Sequence, residues 1–486
     1  MTDVLLYILG ILIIVIGLAV SIGLHEIGHL VPAKLFGVKV TQYMIGFGKT
    51  LWSRRRGETE YGVKAIPLGG YVAMTGMYPP QKPGEKPRAS TTGFLNTVMQ
   101  EGSAVKTGES SLEVIEREIE RIGDPAPDEA EEPRRGLAGM VNDARAASAE
   151  TIAAGEDHRT FYRLSMWKKI VVMLGGPVMN LVLAFVFFGI VLVGFGVPQY
   201  TTAVSSVTQC LIPASSDAVE CTSGDPVAPA AAAGIEPGDR IIAIDGAAIA
   251  DWEDFRDIVS SAPGRTLAVT LERDGAEQTV SLTPAANERW VTDDRGNIVE
   301  GADGEPLVET VGMVGLSPAS EMVQQPVTEV PAFIGENVAT MAGVIIGLPQ
   351  RMVDVWNAAF GSEERDPNGP IGMVGVGRLA GEIVSMDEVS VSARVQTMLG
   401  LLGSLNIALF VFNLVPLMPL DGGHIAGALY EGLKRGWARI RRKPDPGPID
   451  TAKMVPVTFV VVVVLGAMML LLLYADIVKP ITLTGG

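Results

Sequence analysis

Four stretches of the chain, Val4 to Leu24, Ile170 to Val197, Met398 to Leu420 and Val455 to Tyr474, are long and apolar enough to cross a lipid bilayer. A helix rises about 1.5 Å per residue, so about 20 apolar residues match a hydrocarbon core about 30 Å thick. Water cannot satisfy backbone N–H and C=O groups in that core, which leaves each stretch a helix. A mean hydropathy of +0.31 with only 19% charged residues argues the same way, against a soluble globule. The expected fold is therefore a multi-pass α-helical membrane protein with four transmembrane helices. The first stretch resembles a signal peptide in position, but it carries Asp3 in place of a basic leader and runs into a histidine motif without a small-residue cleavage site. It reads as a retained span.

Four spans place both termini on one side, and the basic residues say which. Lys34, Lys39, Lys49, Arg54 to Arg56 and Lys64 follow the first span, Arg163, Lys168 and Lys169 precede the second, and Lys434, Arg435, Arg439 and Arg441 to Lys443 lie between the third and fourth. These segments are expected in the cytoplasm, and residues 199 to 394 outside. The only two cysteines, Cys210 and Cys221, fall in that external region. An oxidising compartment permits a disulfide between them, with two free thiols as the alternative. The net charge of −17 comes largely from Asp- and Glu-rich soluble segments and leaves no footprint for nucleic acid.

The first span with its histidine motif occupies residues 1–36. Residues 37–77 read as membrane-associated β structure, with Lys49 to Ser53 pairing Tyr61 to Ile66 in a hairpin whose free edge can accept an extended peptide. Residues 78–165 form a cytoplasmic insertion of mostly flexible composition, with one short helix signalled by the capping spacing of Ser110 and Glu113. The second span takes 166–198 and an external linker 199–225. Within 226–285, Ala233-Gly234-Ile235-Glu236-Pro237-Gly238-Asp239, a strand over Arg240 to Ile244 and the turn Asp245-Gly246 precede a helix around Asp251 to Ser260. Two strands follow across Asp274-Gly275. This string resembles a PDZ domain of the kind associated with bacterial proteases, a fold that receives peptide C-termini by strand addition. Residues 286–396 hold further external β segments and a helix over Val330 to Phe360. That helix is expected along the membrane surface, because its apolar run is short and Pro349 interrupts it. The third span, 397–425, ends in Leu420-Asp421-Gly422-Gly423-His424. A basic loop 426–453, the fourth span 454–476 and an external tail 477–486 complete the order.

His25-Glu26-Ile27-Gly28-His29 carries the chemistry. Residues four apart share a helix face, so both imidazoles can bind one zinc while Glu26 reaches a water as general base. Two histidines and a glutamate can also be satisfied polar groups of a bundle. In or near a membrane such groups are costly and mark function, which favours the metal. A catalytic zinc needs a third protein ligand. Asp421 is the third candidate, as the first ionisable residue after Arg394 at the end of a span that runs back towards the depth of His25 and His29.

With Asn413-Leu414-Val415-Pro416 and Leu420 to His424, the His25 to His29 motif resembles the bacterial site-2 protease family of intramembrane metalloproteases, in the branch of the regulator of sigma-E protease. Gly69-Gly70-Tyr71-Val72, Gly176 to Asn180 and Gly369 to Gly372 support the likeness, which covers the chain except 78 to 157 and shows one PDZ domain where the best-known members have two. The resemblance implies that His25, His29 and Asp421 bind zinc, that Glu26 is the base, and that Asn413 and Pro416 seat the substrate. It makes His424 a supporting residue and His158 a solvated one. Implied substrates are single-span membrane proteins, anti-sigma factors or remnant signal peptides. Alternatives are another membrane zincin with a glutamate as third ligand, and an inactive PDZ-bearing scaffold.

Overall fold

A computed structural model describes the chain except for residues 1, 80–140, 142–143, 146–147, 149–151, 153–155, 213–220, 222–225, 292–298, 300–305, 363, 388 and 482–486. The helix expected after Ser110 lies outside the described residues. The chain forms two compact units, residues 1–191 with 326–486, and residues 192–325.

In the first unit, α1 (Thr2–Leu35) leads into a ribbon of β1 (Val40–Arg56) and β2 (Thr59–Met74). The expected hairpin is present, with Thr50 opposite Lys64 and Arg56 opposite Thr59. The ribbon also folds over itself. Ile45 faces Gly70 and also Val63, which orders the segments 50–56, 59–64, 42–45 and 70–74 and leaves 70–74 at an edge. Tyr43 Oη donates to the Gly23 carbonyl at 2.8 Å and pins the ribbon to α1.

The longer helices of this unit among the described residues are α2 (Met166–Gly189), α3 (Val330–Ile346), α4 (Leu348–Phe360), α5 (Met373–Ser385), α6 (Val391–Asn413), α7 (Asp421–Ile440) and α8 (Val455–Val478). Their directions follow from close pairs. Gly17 packs on Leu402 and Asn406 donates to Ser21, so α6 runs parallel to α1. Gly28 lies on Gly175 and His25 beside Asn180, so α2 runs the other way. Asp476 near the end of α8 accepts from the backbone N–H groups of Gly372 and Gly375, and the α5 residues Ala380 and Gly381 meet Gly10 and Tyr7. The end of α8 therefore lies against the start of α5, which itself packs along the first half of α1.

Among the described residues, five helical segments are long and apolar enough to cross a membrane, namely Asp3–Leu35, Met166–Phe195, Val327–Ile346, Val391–Asn413 and Thr451–Val478. All four expected spans are represented. The additional one is the front half of the helix expected on the membrane surface. The expected interruption is present: the helix ends with its C-cap at Gly347, and Pro349 stands in the first turn of the next helix, α4, where a missing N–H leaves no bond unmade.

The third expected span is also revised. Instead of Met398 to Leu420 it covers Val391 to Asn413, opened by the Ser390 side chain accepting from the Ala393 N–H. It stops before Pro416, whose ring disfavours helical geometry in the residue ahead of it. Asp421 then begins α7, a helix that fills much of the segment expected as a basic loop. A buried ion pair fastens α7 to α2, with Lys169 Nζ 2.7 Å from Glu431 Oε2, and Arg435 adds a contact at 3.0 Å.

The second unit holds β3 (Val197–Val207), β4 (Arg240–Ile244), β5 (Ala247–Ala248), β6 (Leu267–Arg273), β7 (Ala276–Leu282), β8 (Ala285–Trp290), β9 (Val308–Met313) and β10 (Leu316–Val323). The main sheet runs β10-β3-β4-β6-β7, with β5 beside β4, and β8 pairs with β9. A helix, Trp252–Ser260, is capped by Asp251, whose side chain accepts from the Asp254 N–H. Its Phe255 and Val259 bury with Ile241, Leu267, Val269 and Leu271 in one core. Asp239 is buried against Arg273 at 2.6 Å, and that guanidinium holds its carboxyl below the usual carboxylate range. Cys210 and Cys221 form a disulfide.

Candidate metal centre

One helical turn separates His25 from His29 on α1, so their rings share a face, and the face is turned into the bundle. Glycines let α2 come close enough to support them. A side chain on Gly28 or Gly175 would collide with the other's carbonyl, and a Cβ on Gly176 would collide with His29 Nε2.

Each imidazole is held from behind. His29 Nδ1 lies 2.8 Å from the Val172 carbonyl, which accepts only, so Nδ1 carries the proton and Nε2 is left bare. His25 Nδ1 lies 3.1 Å from the Asn180 amide, whose Oδ1 is buried without a hydrogen-bond partner among the described residues. The two ends of an amide are nearly isosteric, and turning it over lets Oδ1 accept from Nδ1–H. His25 then also presents a bare Nε2.

Asp421 closes the set. Its Oδ2 lies 3.4 Å from His25 Nε2 and 3.3 Å from His29 Nε2, and the two Nε2 atoms are 3.2 Å apart. Among the described residues Oδ2 has no hydrogen-bond donor. Three lone-pair atoms facing one another without a proton between them repel unless a cation sits among them. Two imidazole nitrogens and a carboxylate oxygen with one side open are a donor set that fits zinc. Among the described residues these three form the one group of ligating side chains with atoms mutually within 4.8 Å.

The other expected residues take distinct places. Glu26 sits one step round α1, where a Cβ on Gly70 would lie 2.9 Å from its Cγ, so the base candidate abuts the edge segment 70–74. Asn413 ends α6, and Pro416 lies exposed in the turn that follows. The turn is pressed onto α7, since a side chain on Gly422 would collide with the Leu414 and Val415 carbonyls. His424, one turn along α7 from Asp421, and exposed His158 stand outside the three-residue group.

Asn180 is the residue to which sequence reasoning gave no role. A signal was there, because it is the only polar side chain between Lys169 and Gln199 in an otherwise apolar span. Asn180→Ala is expected to weaken metal binding about 10–100-fold, as loss of a ligand's supporting hydrogen bond does elsewhere, while Asn180→Asp keeps it. Competition against a chelator reads this, and wild-type affinity in the alanine variant would remove Asn180 from the site.

A bundle of apolar helices with a His-Glu-x-x-His helix and a facing aspartate defines a metallopeptidase. The description Peptidase family M50 matches residues 13–443, and the chain belongs to that family. It is similar to the "Zinc metalloprotease Rip1" of Mycolicibacterium smegmatis, 30% identical over 98% of both chains. It is 29% identical to the protein of the same name from Mycobacterium bovis, over 98% of this chain and 99% of that one. The "Putative zinc metalloprotease SA1105" of Staphylococcus aureus is 26% identical over 88% of this chain and 91% of its own.

Proposed function

We propose that this chain is a zinc-dependent endopeptidase of a bacterial cell membrane that hydrolyses peptide bonds in or near the transmembrane segments of single-span proteins, such as anti-sigma factors or remnant signal peptides. The observation that carries the reading is the convergence of His25, His29 and Asp421 on bare donor atoms inside a bundle of span-length apolar helices.

His25, His29 and Asp421 hold the metal, which when bound supplies a Lewis acid to the scissile carbonyl and the attacking water. Glu26 takes that water's proton and returns it to the leaving amine. A helical substrate must unwind first, because its peptide groups are otherwise satisfied within the helix. The edge segment 70–74, with Gly70 against Glu26, suits an unwound stretch added as a strand. Asn413 and Pro416, in the turn that leads to Asp421, help to seat it.

Helix directions support four crossings. With α1 and α6 running towards the metal and α2 and α8 away, the chain between α2 and α6 must begin and end on the same side. A lone crossing by α3 would break that parity. Basic residues put the metal end in the cytoplasm and the second unit outside. There the segment from 226 to 285 acts as a PDZ domain that excludes substrates whose external parts have not been trimmed.

Purified enzyme in proteoliposomes tests this. It is expected to cut a trimmed single-span substrate within its apolar segment, to stop with chelator and resume with zinc, and to spare the untrimmed form. Cutting only soluble chains would overturn the reading. If a zinc-loaded variant lacking 226 to 285 still spares untrimmed substrate, filtering by that domain is wrong.

A further inference from the structure

A groove of about 310 Å³ lies between α1 and α5, away from the metal. Ile11, Ile14 and Leu18 of α1, Val374 of α5 and Leu405 of α6 make it apolar. It starts about two helical turns from His25 and runs towards the start of α1, so the hydrolytic chemistry does not reach it. Gly377 keeps one side open, since a Cβ there would meet no atom within 4 Å.

Arg378 is the only charged residue of the lining, and no described residue gives it an ion partner or a hydrogen bond. Its neighbours are treated differently. Arg365 pairs with buried Asp476 at 2.8 Å, and Arg394 donates to the Val384 and Val389 carbonyls at 2.9 Å. A half-buried guanidinium beside an apolar groove, among helices of membrane length, is open to an anion that none of the described residues provides.

We propose that the groove is a binding site for one anionic phospholipid, with an acyl chain along α1 and the phosphate on Arg378. The apolar walls give a free phosphate nothing to gain. The volume suits a single chain rather than a substrate helix about 10 Å across. Tyr7, packed on Gly381 at the end of the groove, suits the interfacial level at which tyrosines and headgroups meet. The inference rests on the membrane placement proposed above and not on the peptidase chemistry.

The purified full chain, titrated in detergent with phosphatidylglycerol or phosphatidylcholine, is read by native mass spectrometry for bound lipid. Wild type is expected to retain one phosphatidylglycerol where phosphatidylcholine is lost. Arg378→Gln should weaken that binding about fivefold, as one basic contact is worth, and Arg378→Lys should largely preserve it. Gly377→Leu fills the groove and should weaken it with Arg378 intact. Equal retention of the two lipids, unchanged binding in both Arg378→Gln and Gly377→Leu, or displacement by millimolar inorganic phosphate would each overturn the site. Metal content and cleavage by the same samples report separately on the peptidase reading.

Discussion

Glu26→Gln is expected to lower peptide-bond cleavage about 10²–10⁴-fold, the range that a positioned general base contributes, while metal content stays near that of the wild type. The two effects separate because of where Glu26 stands. His25, His29 and Asp421 bring their donor atoms together without it, and Glu26 instead abuts Gly70 at the edge of the ribbon. Glutamine preserves the size of the side chain and its fit beside Gly70 but cannot take a proton. Cleavage of one single-span substrate, with metal measured on the same preparation, reads both quantities. Activity above a tenth of the wild type would mean that another group accepts the proton, and metal loss would mean that Glu26 is a ligand.

Asp421→Ala should have the largest effect on the metal itself, weakening binding by more than the roughly 100-fold ceiling for a supporting residue such as Asn180. On the proposed ligand set it removes one of three donors, and the one that carries the charge. Asp421 also occupies the first turn of α7, where a carboxylate is favoured by the helix N-terminus, so a modest loss of helix stability accompanies the change. Asp421→Asn keeps the shape and separates the causes: it should restore the helix and leave metal binding weak. Chelator competition and circular dichroism measure the two. An alanine variant that binds metal like the wild type would reassign the third ligand, with His424 the next candidate along α7.

Much of this was legible in the sequence for specific reasons. Four of the five span-length helices announce themselves by their apolar length, because a helix satisfies its own backbone where water cannot; Val327–Ile346, the fifth, reads as too short and is missed. The pairing of His25 with His29 follows from the helical period, and the depth of Asp421 follows from its place after an apolar run. Other features depend on contacts that no local pattern encodes. The apolar run continues to Leu420, seven residues beyond the end of α6 at Asn413, because apolar residues in a turn packed on Gly422 and Gly423 read like apolar residues in a helix. Pro349 reads equally well as a break or as a first-turn residue. The crossing of the ribbon that places 70–74 beside Glu26 is a matter of long-range register, which alternation within one strand does not specify.

The spacing of the donors along the chain has a consequence for how the protein is assembled. Two come from the first helix and the third from position 421, so the distance from His29 is 421 − 29 = 392 residues. A metal held by all three is a cross-link that closes about four fifths of the polypeptide into a ring. Because the entropy of closing such a loop grows only with the logarithm of its length, the long separation adds little to the cost, while the link couples early and late segments into one folding event. A nascent chain that has inserted its first two helices therefore carries the complete histidine motif and no complete site. On the proposed ligand set the metal centre is completed only when α7 has been made and docked, so a partly synthesised chain would have no complete centre for hydrolysis.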